Sequence, residues 1–258
     1  MIFRIVLILL FYSLSLFAEW RVTPKIEAGF YSPQLSGTLS NVHGSSDFIS
    51  DYGYDKASAS YFSVDLLVDY DYIPNLSISY FNMQENADAT LDKNITVAEE
   101  VFSSKVTTLT DLSILNTIIY QDFKTKGKMF SLFGKRLYSG DVEFDIGMNV
   151  KLLSWNFEIQ DKTDTTRDSA WIKVHELVPL PYVGFNYYLY RFAFHAEASA
   201  LSFVEAKALN YEVVGSFRVV DNLFLSAGYL YEEFKAVEDD DTVEFTSSGY
   251  KVSFMYAF

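Results

Sequence analysis

The sequence predicts an all-β fold, a transmembrane up-and-down antiparallel β-barrel, and three observations predict it. First, residues 249–258 read Gly-Tyr-Lys-Val-Ser-Phe-Met-Tyr-Ala-Phe. Successive side chains of a strand point to opposite faces, so Tyr250, Val252, Phe254, Tyr256 and Phe258 share one face. Gly249, Lys251, Ser253, Met255 and Ala257 share the other. A wholly apolar strand face left in water invites edge pairing, whereas the strand that closes a membrane barrel turns such a face to lipid. Second, the 258 residues include 23 Phe and 19 Tyr, an aromatic share of 17%; aromatics favour strands and membrane interfaces. Third, past the N-terminal segment no apolar run approaches the about 20 residues that a spanning helix needs. Any crossing must therefore be made by strands.

Ten stretches with a two-residue period follow one another. In residues 20–31, Val22, Ile26, Ala28 and Phe30 lie on one face and Lys25 and Glu27 on the other. In 60–71, Phe62, Val64, Leu66, Val68 and Tyr70 oppose Asp65 and Asp69. The third stretch is 76–84. The fourth, 108–121, is apolar on both faces, which leaves its orientation open. The fifth is read at 129–138 and the sixth at 178–189, where Val183, Phe185 and Tyr187 oppose Gly184 and Asn186. In 191–202, Phe192, Phe194, Ala196 and Ala198 oppose His195, Glu197 and Ser199. In 208–219, Leu209, Tyr211, Val213 and Phe217 oppose Asn210, Glu212, Ser216 and Arg218. The last two are 223–232 and 246–258. These lengths suit the ~9–11 residues of a tilted strand that crosses a bilayer.

The connections alternate. Residues 72–75, 122–128, 188–190 and 220–222 are short; 32–59, 85–107, 139–177, 203–207 and 233–245 are longer. Outer-membrane barrels have short periplasmic turns and longer outer loops, so both chain ends fall on the periplasmic side. Residues 139–177 are the weak point. Val142, Phe144, Ile146 and Met148, then Leu153, Trp155, Phe157 and Ile159, alternate within them. They either extend the fifth and sixth strands or form a further hairpin, so twelve strands remain open beside ten, and eight is the third option.

Residues 1–18 read as a secretory signal peptide: a basic start ending at Arg4, an apolar run over 5–11 and a small-residue exit. Residues 19–258 then form one barrel domain. The chain contains no cysteine, which excludes disulfides, zinc–cysteine sites and thiol catalysis. A formal net charge of −14 argues against a nucleic-acid partner.

The terminal alternation, with Phe258 last, resembles the C-terminal assembly signal of bacterial outer-membrane proteins. The order of Tyr-Ile-Pro-Asn-Leu at 72–76, Val-Pro-Leu-Pro-Tyr at 178–182 and the acidic stretch 238–245 also resembles one little-characterised proteobacterial family of outer-membrane barrels. The resemblance implies the outer membrane of a Gram-negative cell. It further implies contact with outer-membrane lipid and lipopolysaccharide, and passage through periplasmic chaperones and the barrel-assembly machinery. It transfers no activity, cofactor or catalytic residue.

His195, Glu197 and Ser199 are the sharpest candidates for chemistry: a base, a carboxylate and a hydroxyl on one lumen wall. Residues two apart on a strand lie roughly 7 Å from each other, too far for a direct triad. Asp65 and Asp69 could form an acidic pair, but four residues separate them by roughly 13 Å. His43 and His175 show no metal-ligand spacing, and the acids at 238–244 read as a solvated outer loop. Taken together, Lys25, Glu27, Asp65, Asp69, His195, Glu197, Ser199, Glu212, Arg218 and Lys251 form a mixed-charge lumen list. Ten strands enclose far less space than a porin, and unpaired charges there would be costly. The expectation is a structural or surface-interaction barrel with a largely side-chain-filled lumen, no enzymatic activity, no cofactor and no metal. A narrow pore for small or apolar solutes and an outer-membrane lipid hydrolase are the alternatives.

Overall fold

The computed structural model describes residues 22–258 apart from 42–43, 55–56, 70–71, 99, 133–134, 164–168, 203–205 and 239–240. The expected signal peptide, His43, Tyr70 and the tip of the acidic stretch lie outside the described residues. The strands are β1 (Val22–Asn41), β2 (Gly44–Asp47), β3 (Ala59–Val68), β4 (Asn75–Thr90), β5 (Ile95–Val97), β6 (Glu100–Phe102), β7 (Lys105–Thr125), β8 (Met129–Leu132), β9 (Lys135–Tyr138), β10 (Asp141–Asp161), β11 (Ala170–Leu189), β12 (Phe192–Ser202), β13 (Ala206–Val220), β14 (Leu223–Glu238) and β15 (Asp241–Ala257). Ten of them, β1, β3, β4, β7 and β10 to β15, pair in that order, and β15 returns to β1. The closing seam runs from Lys25 opposite Ala257 to Ser40 opposite Thr242, antiparallel throughout. Closure removes every free edge at membrane level, which a structure in hydrocarbon requires. The result is an up-and-down barrel, as the terminal alternation predicts, with the ten strands that the count of periodic stretches favours.

The identity of the fifth barrel strand is a correction. Residues 129–138 are not in the wall: they form the two-strand hairpin β8–β9 between β7 and β10. The fifth wall strand is β10, which pairs with β7 from Val142 to Asp161 and with β11 from Asp141 to Ile159. Residues read as an outer loop thus supply one of the two longest strands of the wall, the other being β7. The connection 126–140 is accordingly the longest one at the end that carries the two-residue turns 190–191 and 221–222.

One physical pattern explains the long strands. Near the turn end, apolar residues face outward: Phe30, Phe62, Phe144, Ile146, Met148, Val183, Phe194, Val252 and Phe254 are all 40% exposed or more. Farther along the same strands the phase reverses without a break in pairing. On β10 the inward residues become Leu153, Trp155, Phe157 and Ile159, each fully buried, while Ser154, Asn156 and Glu158 face out. The lower stretch is a lipid belt; the upper one is built like a strand of a water-soluble protein. Tyr211, Tyr229, Tyr231 and Tyr250 lie where the phase changes. Tyr211 stacks on Tyr231 at 4.8 Å and Tyr229 meets Tyr250 at 5.6 Å, forming part of an interfacial aromatic girdle.

Candidate functional site

The lumen has two storeys. The outer one is apolar. Tyr31 and Leu35 from β1, Phe81 and Met83 from β4, Trp155 and Phe157 from β10 and Phe245 from β15 form one buried cluster. The segment after β2 folds into it: Phe48, Tyr52 and Tyr54 are at most 1% exposed. Phe48 meets Trp155 edge-on at 5.6 Å, and Tyr52 lies 5.0 Å from Phe157. Backbone hydrogen bonds from Phe48 N to Gly37 O (3.0 Å) and from Ala57 N to Pro33 O (2.9 Å) fasten the segment to β1 above the point where β3 begins. Trp155 satisfies its indole by donating to Thr110 Oγ1. The outer lumen is therefore a packed core.

The inner storey is polar. Inward residues of β1, β3, β4, β7 and β10 to β15 surround a cavity of about 130 Å³ toward the turn end. Lys251, 1% exposed, is the most deeply buried cation of this storey. Its ammonium bonds Glu212, lies 3.3 Å from Glu27 and sits 3.9 Å above the ring of Tyr61. Glu27 also accepts from Ser253 and from Ser63. Higher on the wall, Lys151 pairs with Glu232. These are the cross-barrel pairs that the cost of a lone buried charge demands.

His195 and Glu197 are in direct contact, Nε2 to Oε2 at 3.1 Å, so the spacing argument that set them roughly 7 Å apart is corrected: the longer Glu197 side chain bridges the gap. Tyr182 donates to the same Glu197 oxygen at 3.1 Å, and Asn186 Oδ1 lies 2.7 Å from His195 Nδ1. Both imidazole nitrogens are thereby engaged. Ser199, buried, accepts instead from Asn149 Nδ2 at 3.4 Å, and the three residues do not assemble into a triad.

Lys25, Glu27, Asp65, His195, Glu197 and Glu212 line the cavity. Asp69 does not. It lies past the last residue of β3 and is exposed, because the inward face ends with the strand. Arg218 sits at the turn end, its guanidinium donating to Tyr190 O at 3.2 Å. Tyr250, Val252, Phe254, Tyr256 and Phe258 all face outward, 42–75% exposed. Sequence reasoning missed Glu143, Asp145, Asn149 and Lys151, because β10 was read as loop; their alternation opposite Phe144, Ile146 and Met148 was the available signal.

No family model matches the chain and no curated protein does, so the narrower proteobacterial likeness rests on its three short segments. Among solved structures, the chain is similar to the outer membrane protease OmpT from Escherichia coli, with 9% identity, 91% of this chain and 97% of that chain covered, and a TM-score of 0.47. It is similar to Neisserial surface protein A at 13% identity, with 92% and 97% covered and a TM-score of 0.36. The P. putida toluene transporter TodX is similar at 8% identity, with 91% and 89% covered and a TM-score of 0.29. Likenesses this distant assign no role. The closed wall and the lipid belt below its aromatic girdle identify the chain as a ten-stranded β-barrel of the Gram-negative outer membrane.

Proposed function

We propose that this barrel has a structural or surface-interaction role, that it neither conducts nor catalyses, and that its lumen is largely filled by its own side chains, the outer storey completely so. The observation that carries this reading is the insertion of Phe48, Tyr52 and Tyr54 into the apolar outer lumen. A solute path would have to cross that packed aromatic layer, and interiors at such density hold few voids larger than a water. The loop end offers what a surface role needs: Ile49, Val101 and Trp171 are 41%, 45% and 56% exposed there among polar neighbours. In this reading the partners of the mature barrel are outer-membrane lipid and lipopolysaccharide, with chaperones and assembly machinery acting before insertion.

Catalysis by His195 is disfavoured by geometry. A general base needs a free nitrogen within hydrogen-bond reach of the proton it takes, and both of its nitrogens are bonded within the wall. The expected result is that refolded protein shows no steady conductance in planar bilayers and no lipase or lipid-deacylation activity. Stable channels of porin-like size would replace this reading with the pore. Hydrolysis that vanishes in His195→Ala would replace it with the hydrolase.

A further inference from the structure

The inner cavity carries an unbalanced charge set. Glu27, Asp65, Glu143, Asp145, Glu197 and Glu212 line it, against Lys25 and His195. Most of these carboxylates have visible compensation. Lys251 serves Glu212 and Glu27, His195 serves Glu197, and Lys124 reaches Glu143 from the rim at 3.6 Å. Asp145 differs. It is 2% exposed, one oxygen accepts from Asn186 Nδ2 at 2.8 Å, and the other, Oδ1, is buried with no hydrogen-bond partner. A buried carboxylate so placed calls for a cation.

Two glycines let neighbouring groups close in on it. The next inward residue along β10 is Gly147, and the residue opposite Asp145 on β11 is Gly184. A methyl group at Gly184 would stand 2.8 Å from Asp145 Oδ2 and 2.8 Å from the Tyr182 hydroxyl. Tyr120 and Tyr182 flank Gly147 from β7 and β11, their rings 5.8 Å apart. Carboxylate and tyrosine rings thus share the lining of one cavity. The packing next to the cavity shows how such a setting is filled, since the Lys251 ammonium rests between carboxylates and the ring of Tyr61. No cluster of three or more ligating side chains suited to a metal ion exists among the described residues. Aromatic rings beside a carboxylate suit an organic ammonium. The cavity is reached from the turn end: Lys25, Tyr188 and Met255 in its lining lie within three residues of the ends of β1, β11 and β15. The His195 side chain, bonded on both nitrogens, still retains 31% of its exposure.

We propose that the inner cavity is a periplasm-facing binding site for a small organic cation, whose ammonium group sits on Asp145 with Tyr120 and Tyr182 beside it. An ammonium of this kind is presented by free amines and by ethanolamine lipid headgroups alike.

The test is isothermal titration of the full refolded barrel in detergent with ethylammonium, putrescine, choline, short-chain phosphatidylethanolamine and magnesium chloride. The expected result is saturable one-to-one binding of at least one ammonium compound, weakened at least tenfold by Asp145→Asn and unchanged by Asp69→Asn. Binding of ethylammonium or putrescine alone assigns a free amine, whereas tighter binding of the lipid assigns a headgroup. Gly184→Ala, whose methyl would displace the Asp145 carboxylate and the Tyr182 hydroxyl while leaving the charge in place, should weaken binding as much, so the proposal stays testable if Asp145→Asn fails to fold. A ligand-dependent rise in melting temperature, present in the wild type and absent in either variant, is the second readout. Absence of saturable ammonium binding, binding that survives both substitutions, or tighter binding of magnesium than of every ammonium compound would overturn the assignment. Conductance and hydrolysis are separate readouts, so the proposed surface role stands or falls apart from this site.

Discussion

Lys251→Met should destabilise the barrel by about 3–5 kcal/mol, the range for removing one partner of a buried ion pair. Methionine nearly conserves the volume, so little of the loss would come from packing. What remains is Glu212 and Glu27 facing each other in a buried wall without the ammonium that now lies between them. The loss also includes the contact with the ring of Tyr61 at 3.9 Å. The check is a shift of the urea midpoint for unfolding from detergent or lipid at unchanged slope. Adding Glu212→Gln to Lys251→Met should recover part of the loss, because it removes one of the stranded charges. A single-variant loss below about 1 kcal/mol, the range of an exposed ion pair, would contradict a buried, structurally required Lys251.

Phe254→Arg should cost about 2–4 kcal/mol, the penalty for a cation near the middle of the lipid face of a barrel. Phe254 is 59% exposed, faces outward and lies midway along the apolar run from Tyr250 to Phe258. It also belongs to the closing seam, where it stands opposite Ala28. Ser248→Arg on the same face of β15 should be nearly neutral, because Ser248 lies beyond the Tyr250 girdle, opposite Gln34. The contrast between two outward positions six residues apart locates the belt. Equal costs at the two positions would show that the phase reversal does not mark its boundary.

Much of the wall was legible because its lower half obeys one rule, apolar out and polar in. Phe62, Val64 and Leu66 against Asp65, or Phe192 and Phe194 against His195 and Glu197, give side and register at once. The upper half obeys the opposite rule, and there the reading failed. On β10 the apolar set passes from Phe144, Ile146 and Met148 to Leu153, Trp155 and Phe157, a change from even to odd positions. A single period cannot cover both, so the segment looked like two short elements instead of one strand leaving lipid and entering a core. β7 is apolar on both faces for the same reason: Ile119 and Phe123 face lipid, while Leu112 and Ile114 face the core. The inner cavity was half legible. His195, Glu197, Glu212 and Lys251 could be placed on inward faces, but Asp145 could not be placed before β10 was recognised. No local pattern signals the plug, since Phe48, Tyr52 and Tyr54 fall in a segment without strand periodicity and are fixed by contacts with distant strands.

The central claim, that the outer lumen is a sealed core, is tested most directly by thiol labelling, for which the cysteine-free chain provides a silent background. Ser247→Cys is nearly isosteric at a fully buried inward position of β15, and Ala57→Cys sits in the inserted segment at 7% exposure. Asp92→Cys is exposed at the loop end. With a membrane-impermeant maleimide on intact cells, Asp92→Cys should label readily, whereas Ser247→Cys and Ala57→Cys should stay unmodified until the barrel is unfolded. Labelling of Ser247→Cys in the folded barrel at the rate of Asp92→Cys would mean that the outer lumen is open to water, and would contradict the account.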